Sequence, residues 1–349
     1  MREKIKVAAV GLGWVAQNRH IPALLRNPAF ELVGLIDRHK RKAAALAKRY
    51  NLPFSAEAED VGDVPWIDEC DAITIGAPPM AHAKLAIKAL ERGKHVLTEK
   101  PFAITLDEGR AMAQAAQDNE RTLAVVHNFQ FSRAMRRFEA DREKNKLGDI
   151  KQIAATQLGN PARRLPSWYE DLPLGLFFDE SPHFFYLLQR LAGKIELQRA
   201  HAVASPEGKE TPSLIHLLYR SEQSIPVTIN CQFDSALSEW FIRISGEKAT
   251  AFLDIFRDIY ICVPNDQTHS ALDILRTSAS TITQHLLCHL PNGLNFVRGR
   301  LDYGNDDVFA RFAEAILSNK TPDRINFEAA LSVLQCQQEA TQALRKNSI

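Results

Sequence analysis

A run of about 20 apolar residues, the length a membrane-spanning helix needs, occurs nowhere in this 349-residue chain. A C-x-x-C pair is missing too. The five cysteines, Cys70, Cys231, Cys262, Cys288 and Cys336, are odd in number and far apart. That spacing is wrong for a zinc site or a disulfide framework, so reduced, mostly buried thiols are expected and no metal. Excess charge of one sign is also absent: 43 basic residues meet 42 acidic ones, for a net charge of +1. Without a clustered basic face there is no electrostatic footprint for nucleic acid. The one basic run, "RHKRKAAALAKRY" (residues 38–50), reads as a solvated helix face. The N-terminal "MREKIKVAAVGLG" has too short an apolar stretch for a signal peptide. A cytoplasmic protein without a membrane span is the expectation.

What is present is ordinary globular composition, 45% apolar and 24% charged, at a length that suggests about two domains. The first third alternates short apolar runs with helical stretches. "IKVAAVG", "ELVGLID", "DAITIGA", "HVLTEK" and "TLAVVHN" suit strands buried on both faces. "MAHAKLAIKALERGK" lies between two of them and closes at Gly93. This order predicts an α/β domain with a parallel sheet over residues 1–125. After about residue 150 the pattern changes. "IPVTINCQFDS" puts Val227, Ile229, Cys231 and Phe233 on one face and Thr228, Asn230, Gln232 and Asp234 on the other. Such alternation is that of an antiparallel strand with one buried face. "PSLIHLLYRS", "EWFIRISG", "ATAFLDIF" and "DIYICVP" extend the series. Residues 126–349 are therefore expected to form an α+β domain with an open, mostly antiparallel sheet. Mixed helical signals over residues 268–300 interrupt it, and two helices, "DDVFARFAEAILSN" and "NFEAALSVLQCQQEATQALRK", end the chain.

"VAAVGLGWVAQ" carries Gly11-x-Gly13-x-x-Ala16 between a strand and a helix. The first glycine permits a tight turn, the second lets the backbone approach a pyrophosphate, and the small third residue lets helix and strand pack closely. Trp14 and Val15 sit in the same loop, where the helix N–H groups would receive the phosphate. The second strand ends in Asp37, at the distance of a residue that binds a ribose hydroxyl. That carboxylate would repel a 2′-phosphate and favours NAD. Arg38, with His39 and Lys40 beside it, could hold the phosphate of NADP instead.

"HVLTEKPFAITL" places Glu99, Lys100 and Pro101 together at a strand's carboxyl end, where open parallel sheets bind their ligands. The glycine loop, then Ala77-Pro78-Pro79 with His82, then Glu99-Lys100-Pro101 and the later "DESPH" resemble the Gfo/Idh/MocA family of NAD(P)-dependent oxidoreductases. The resemblance spans nearly the whole chain. It implies a Rossmann domain followed by an open-sheet domain, a dinucleotide held by the residues named above, and a lysine between nicotinamide and substrate. Lys100 matches that lysine. A lysine placed there can hydrogen-bond a substrate oxygen and stabilise the charge that develops on it.

The resemblance also implies an Asp and a His four residues apart acting with the lysine, and Asp179 and His183 match them. Ser181 and Pro182 read as N-cap and first residue of a helix running to Gly193. Asp179 would precede that helix and His183 would lie in its first turn, where the helix dipole disfavours the imidazolium. His183 is then the expected proton acceptor for a substrate hydroxyl. Two positions depart from the family's pattern: Ser181 stands where many relatives have glycine, and Tyr186 where an aspartate often follows the histidine.

For the substrate, Asn128 and Arg133 follow the fifth strand. "GNPARRLPSWYEDLP" concentrates Arg163, Arg164, Trp168 and Tyr169. Aromatic faces stack on sugar rings and paired arginines bind carboxylate or phosphate. A sugar-like anionic substrate, such as a uronic acid or nucleotide-linked sugar, is expected. A non-enzymatic dinucleotide sensor and a reductase of a non-sugar ring compound are the alternatives. Homo-oligomerisation through the open sheet is implied by the resemblance.

Overall fold

The structure is a computed structural model and describes residues 4–39, 41–298 and 303–346. Apolar runs without polar alternation make its first sheet. In chain order these elements are β1 (Ile5–Val10), α1 (Ile21–Arg26), β2 (Phe30–Asp37), α2 (Lys42–Tyr50) and β3 (Phe54–Glu57). There follow β4 (Ala72–Ile75), α3 (His82–Glu91), β5 (His95–Thr98), α4 (Leu106–Asp118) and β6 (Leu123–Val125). All pairings are parallel, in the order β3-β2-β1-β4-β5-β6. The strand order reverses between β1 and β4, the switch point at which such sheets bind ligands. The edge strand β3, "FSAE", alternates half-buried and exposed residues. An apolar-run criterion passes over it.

The second sheet follows α5 (Arg133–Glu143), with β7 (Ile150–Leu158), α6 (Leu176–Ala192), β8 (Ile195–Val203), β9 (Leu214–Ser221) and β10 (Pro226–Gln232). β11 (Glu239–Gly246), β12 (Ala249–Asp254) and β13 (Ile259–Pro264) complete it. Its order is β13-β12-β11-β7-β10-β9-β8, antiparallel throughout except where β10 meets β7. The alternation read in β10 holds: Val227, Ile229, Cys231 and Phe233 are all buried. Residues 268–300, unassigned from the sequence, contribute α7 (Ala271–Val297). α8 (Asn305–Ser318) and α9 (Phe327–Lys346) match the two helices expected at the end.

Two compact units result. One runs up to Asn128 and takes in Asn305–Gln338; the other holds Phe129–Gly304 and the chain from Glu339. The return after residue 304 is something a single division point along the sequence does not provide for. It has a local cause in the first unit: Phe309 and Phe312, both fully buried on α8, pack against Phe30.

α6 corrects the reading of Ser181 and Pro182. The helix begins at Leu176, behind Gly175 at φ 54°, and Pro182 lies in its interior. The start is capped from a distance, because the Leu176 N–H donates to Thr211 Oγ1 at 3.0 Å. Asp179 is therefore inside the helix and His183 beyond its first turn, so the helix dipole does not act on His183 as expected. The helix ends at Gly193, φ 74°, as the spacing predicts.

Candidate cofactor and substrate sites

In the first unit the glycine loop is shaped by close backbone approach. Gly11 sits at φ 75°, and a Cβ there would lie 2.5 Å from the Ala77 nitrogen. No other residue fits. Gly13 is different: a Cβ on it would meet nothing nearer than the Gly76 carbonyl, 3.8 Å away, which leaves the space a pyrophosphate takes. Ala16 is fully buried, and its Cβ lies 3.2 Å from where a Cβ on Gly76 would stand. A side chain at Gly76 would thus crowd Ala16 and the Gly11 carbonyl. Trp14 is exposed, with the Arg19 guanidinium over its ring at 5.4 Å, and Val15 is half-buried.

Asp37 is buried at the end of β2, and its oxygens organise the loop. Oδ2 accepts from the Leu12 N–H at 2.8 Å and Oδ1 from the His39 N–H at 2.9 Å, while Lys42 Nζ is 3.4 Å from Oδ2. Each carboxylate oxygen retains a lone pair for a ribose hydroxyl. Arg38 is exposed next to it, and Lys40 lies outside the described residues.

Behind the loop, Ala77 and Pro78 are half-buried and His82 is fully buried. Its Nδ1 is 2.8 Å from the Pro101 carbonyl and its Nε2 2.9 Å from the Ala77 carbonyl. Burial pushes this imidazole below its ordinary range, against the pull of the two carbonyls. A neutral ring donates to only one of them. His82 therefore stands between the turn after β4 and the turn after β5 and is hydrogen-bonded to one of them.

Lys100 is half-buried at the carboxyl end of β5. The carboxylate before it is held on both sides. His20, fully buried, places Nε2 3.0 Å from Glu99 Oε1, and the Lys100 N–H donates to Glu99 Oε2 at 3.1 Å. Burial alone would raise the Glu99 carboxyl; the His20 hydrogen bond and charge, with Lys100, bring it below the usual range. His20 was missed in the sequence. The available signal was its place four residues after the buried Ala16, on one helical face. Asn128 is buried at the end of this unit, next to His127, which burial holds down at about 3.

The second unit carries Asp179 and His183, both buried on α6 and one helical turn apart. The His183 ring packs 4.7 Å from Phe129 and 5.1 Å from Trp240, centroid to centroid. Its Nδ1 lies 2.7 Å from Tyr186 Oη, which also accepts from the Phe129 N–H at 3.1 Å. Tyr186 is thus the partner of the histidine, a role sequence reading did not give it.

The arginine loop is only partly assembled. Arg163 is turned to α6, with Nη2 2.7 Å from Glu180 Oε1, and Gln157 hydrogen-bonds the other oxygen of that carboxylate. Arg164 is exposed, and Trp168 and Tyr169 are half-buried. Burial and the neighbouring Glu170 charge raise the Tyr169 hydroxyl. Arg133 does not stand open either, since its Nη1 donates to Asn292 Oδ1 at 2.9 Å. Among the described residues no cluster of three or more His, Cys, Asp or Glu is arranged to hold a metal ion, and no helix is long and apolar enough to cross a membrane.

A parallel sheet in this order, with an open glycine loop tied to a buried acid, defines a dinucleotide-binding Rossmann unit. Residues 5–127 match the family described as "Oxidoreductase family, NAD-binding Rossmann fold". That model is the one of the Gfo/Idh/MocA oxidoreductases, and its match takes in the dinucleotide-binding strands and helices of the first unit. An uncharacterized protein of Saccharomyces cerevisiae is 28% identical over 264 residues, 72% of this chain and 74% of its own. The fold is shared along the chain with two solved structures. A 3-ketoreductase of Actinomadura kijaniata, in complex with NADP and TDP-benzene, has a TM-score of 0.76 at 18% identity, covering 99% of this chain and 98% of its own. The WlbA dehydrogenase of Bordetella pertussis, in complex with NADH and UDP-GlcNAcA, has a TM-score of 0.76 at 18% identity, covering 99% and 97%.

Proposed function

We propose that this oxidoreductase acts at a CH–OH/C=O centre of a sugar-like substrate, with Lys100 and His183 handling the proton at one substrate oxygen. The observation that carries the reading is the buried His20–Glu99 pair, which fixes the turn presenting Lys100 at the end of β5. So elaborate an anchor is unneeded for a lysine that merely meets solvent. A nicotinamide bound at the glycine loop would supply the hydride donor or acceptor. Gly11, Gly13, Ala77 and Asp37 would hold the dinucleotide, with Trp14, Val15, Ala16, Arg38, Pro78, His82 and Glu99 around it.

The roles of the side chains follow from their chemistry. Lys100 donates a hydrogen bond to the reacting oxygen and stabilises negative charge as it develops there. His183, its Nδ1 set against Tyr186 Oη, accepts the hydroxyl proton at Nε2; reduction returns it. Tyr186 fixes the tautomer in the place where relatives often carry a carboxylate. Asp179, one turn before His183, orients or binds substrate. Arg164, Trp168, Tyr169 and Asn128 favour an anionic carbohydrate. The solved neighbours carrying TDP-benzene and UDP-GlcNAcA support a nucleotide-linked sugar or uronic acid.

The test is turnover at the reduced-nicotinamide absorbance band with nucleotide-linked sugars, uronic acids and neutral polyols. Wild type turns over the anionic members. Lys100→Ala loses about 10²- to 10³-fold in kcat, while the affinity for reduced cofactor, read by fluorescence, stays within twofold. Near-normal kcat in that variant removes the role of Lys100, and preference for neutral polyols removes the substrate class.

A further inference from the structure

His285 and His289 stand one turn apart on α7, with their Nε2 atoms 3.0 Å from each other. Their ring planes cross at 69° rather than stack, which brings the two nitrogens together. His289 is exposed and His285 half-buried. Among the described residues neither ring has another hydrogen-bond partner. By contrast, His216 leans on Asn230 Oδ1 and His269 on Asp266 Oδ2. The turn that carries the pair is pinned from behind, because α7 is folded with its polar side inward. Gln284, immediately before His285, accepts from the Cys262 N–H and donates to the Cys262 carbonyl, both at 2.9 Å. Cys288, immediately before His289, is buried against Ile259 and Ile261. Asn292 is buried and donates to the carbonyls of Arg257 and Asp258 at 2.7 and 2.8 Å. The two imidazoles are thus presented on a fixed backbone. No Asp, Glu, Lys or Arg stands between Arg276 and Arg298, so no cation of α7 repels a metal ion at the pair. Arg137 reaches the helix from α5 and is turned to the Cys288 sulfur.

We propose that His285 and His289 bind a divalent late transition-metal ion, Cu²⁺ in preference to Ni²⁺ and Zn²⁺, with water in the remaining coordination positions. Residues four apart share a helix face, the spacing at which paired helical histidines take a metal. A hydrogen bond between two exposed imidazoles competes with water and adds little to the fold. The separation selects the ion. With metal–nitrogen bonds of about 2.0–2.1 Å, two imidazoles at a right angle hold their nitrogens about 2.9 Å apart. At the tetrahedral angle the same bonds hold them about 3.3–3.4 Å apart. The observed 3.0 Å matches the right angle, which belongs to square-planar or tetragonal Cu(II) and Ni(II), and Cu²⁺ leads the general order of affinity. Before binding, one Nε2–H donates to the other Nε2. On binding, that ring exchanges its proton with water and carries it on Nδ1, so both Nε2 lone pairs face the ion and no net proton is released. The donor set is two imidazoles without thiolate. It is unlike a structural zinc site, which takes four protein ligands.

Titration of the untagged, full-length chain with Cu²⁺, read by calorimetry and electron paramagnetic resonance, tests the site, with Ni²⁺ and Zn²⁺ as comparison ions. Wild type takes one tightly held Cu²⁺ per chain, with an axial spectrum split by two nitrogens. His285→Gln and His289→Gln, one at a time, each weaken that binding by roughly tenfold or more. The circular dichroism spectrum and the affinity for reduced nicotinamide cofactor stay at wild-type values in both. If glutamine disturbs α7, His285→Ala and His289→Ala replace these variants, since alanine favours a helix more. Cu²⁺ held at wild-type affinity by both single variants overturns the proposal and assigns the ion elsewhere, with the half-buried Cys262 thiol the first alternative. A wild type that binds no ion more tightly than His285→Ala with His289→Ala combined overturns it as well. So does a preference for Zn²⁺ over Cu²⁺, which would mean a tetrahedral site.

Discussion

Asp37 does two jobs with one carboxylate. Its hydrogen bonds to the Leu12 and His39 N–H groups hold the glycine loop, and its charge faces the position where a 2′-phosphate would extend. Asp37→Asn removes the charge and keeps one of the two loop bonds, because the amide oxygen still accepts one backbone N–H while its NH2 faces the other. The expected result is a KM for NAD raised about tenfold and a preference shifted at least tenfold toward NADP, both read from initial rates. An unchanged ratio would mean that Arg38 and Lys42, not Asp37, set the preference. His127 makes a prediction about stability. It is held neutral in the fold, at about 3, while in the unfolded chain it titrates near the ordinary value of about 6.5. Between those values the unfolded state binds the extra proton. Stability is fully present above ~6.5 and falls on acidification by up to ~1.4 kcal/mol per pH unit. His95, lowered to about 4 mainly by burial, acts in the same direction. So does Glu99, whose lowered carboxyl stabilises the fold above its ordinary range and ceases to do so as pH falls through its folded value. His127→Gln should flatten the dependence of urea-unfolding free energy on pH between 6.5 and 4, whatever it does to the absolute value.

Elements differ in how much of them can be read locally. α3 stops at Gly93, φ 70°, and β10 alternates with period two; both signals lie within the element itself. The glycine loop and Asp37 were legible for the same reason. α6 was misread at its start because Ser181-Pro182 looks like a helix opening, while the actual cap, Thr211, is 35 residues away in sequence. α7 was illegible because its polar side faces the protein, the reverse of the pattern that apolar periodicity detects. Tyr186 showed only as a departure from a family pattern, since its bonds to His183 and Phe129 are tertiary. The start of α6 can be tested directly. Gly175 has φ 54°, and a Cβ on it would fall 2.0 Å from Thr211 Oγ1. Gly175→Ala should cost ~2–4 kcal/mol from backbone conformation and crowding together. Thr211→Val loses the cap and the bond to Glu170, and should cost ~1–2 kcal/mol. Urea denaturation measures both, and a neutral Gly175→Ala would place the helix start elsewhere.

On the scale of the whole molecule, the end of the chain completes what its beginning starts. Val125 N–H donates to the Ile325 carbonyl at 2.8 Å, and Ala124 bridges to Asn326, so the last strand of the parallel sheet is paired by residues 200 positions later. Arg26 holds Asp306 with a 2.6 Å ion pair. Phe309 meets the His20 ring edge-on, 5.4 Å between centroids, and so backs the histidine that holds Glu99. Leu331 and Leu334 lie so close to Gly109 that a Cβ there would come within 3.0 Å of both. A Rossmann unit cut from residues 1–128 would therefore expose Phe30, His20 and the β6 edge together. A chain stopped after residue 304 is expected to lose cooperative unfolding of the first unit, and with it NAD(H) binding, although every glycine-loop residue is present. Phe309→Ala makes the same point in the full-length chain. Removing a fully buried phenylalanine should cost ~3–5 kcal/mol and loosen the backing of His20, lowering kcat more than it raises the KM for cofactor. Retention of wild-type cofactor affinity by the shortened chain would show that the dinucleotide site is complete by residue 128, and that the C-terminal helices only cover it.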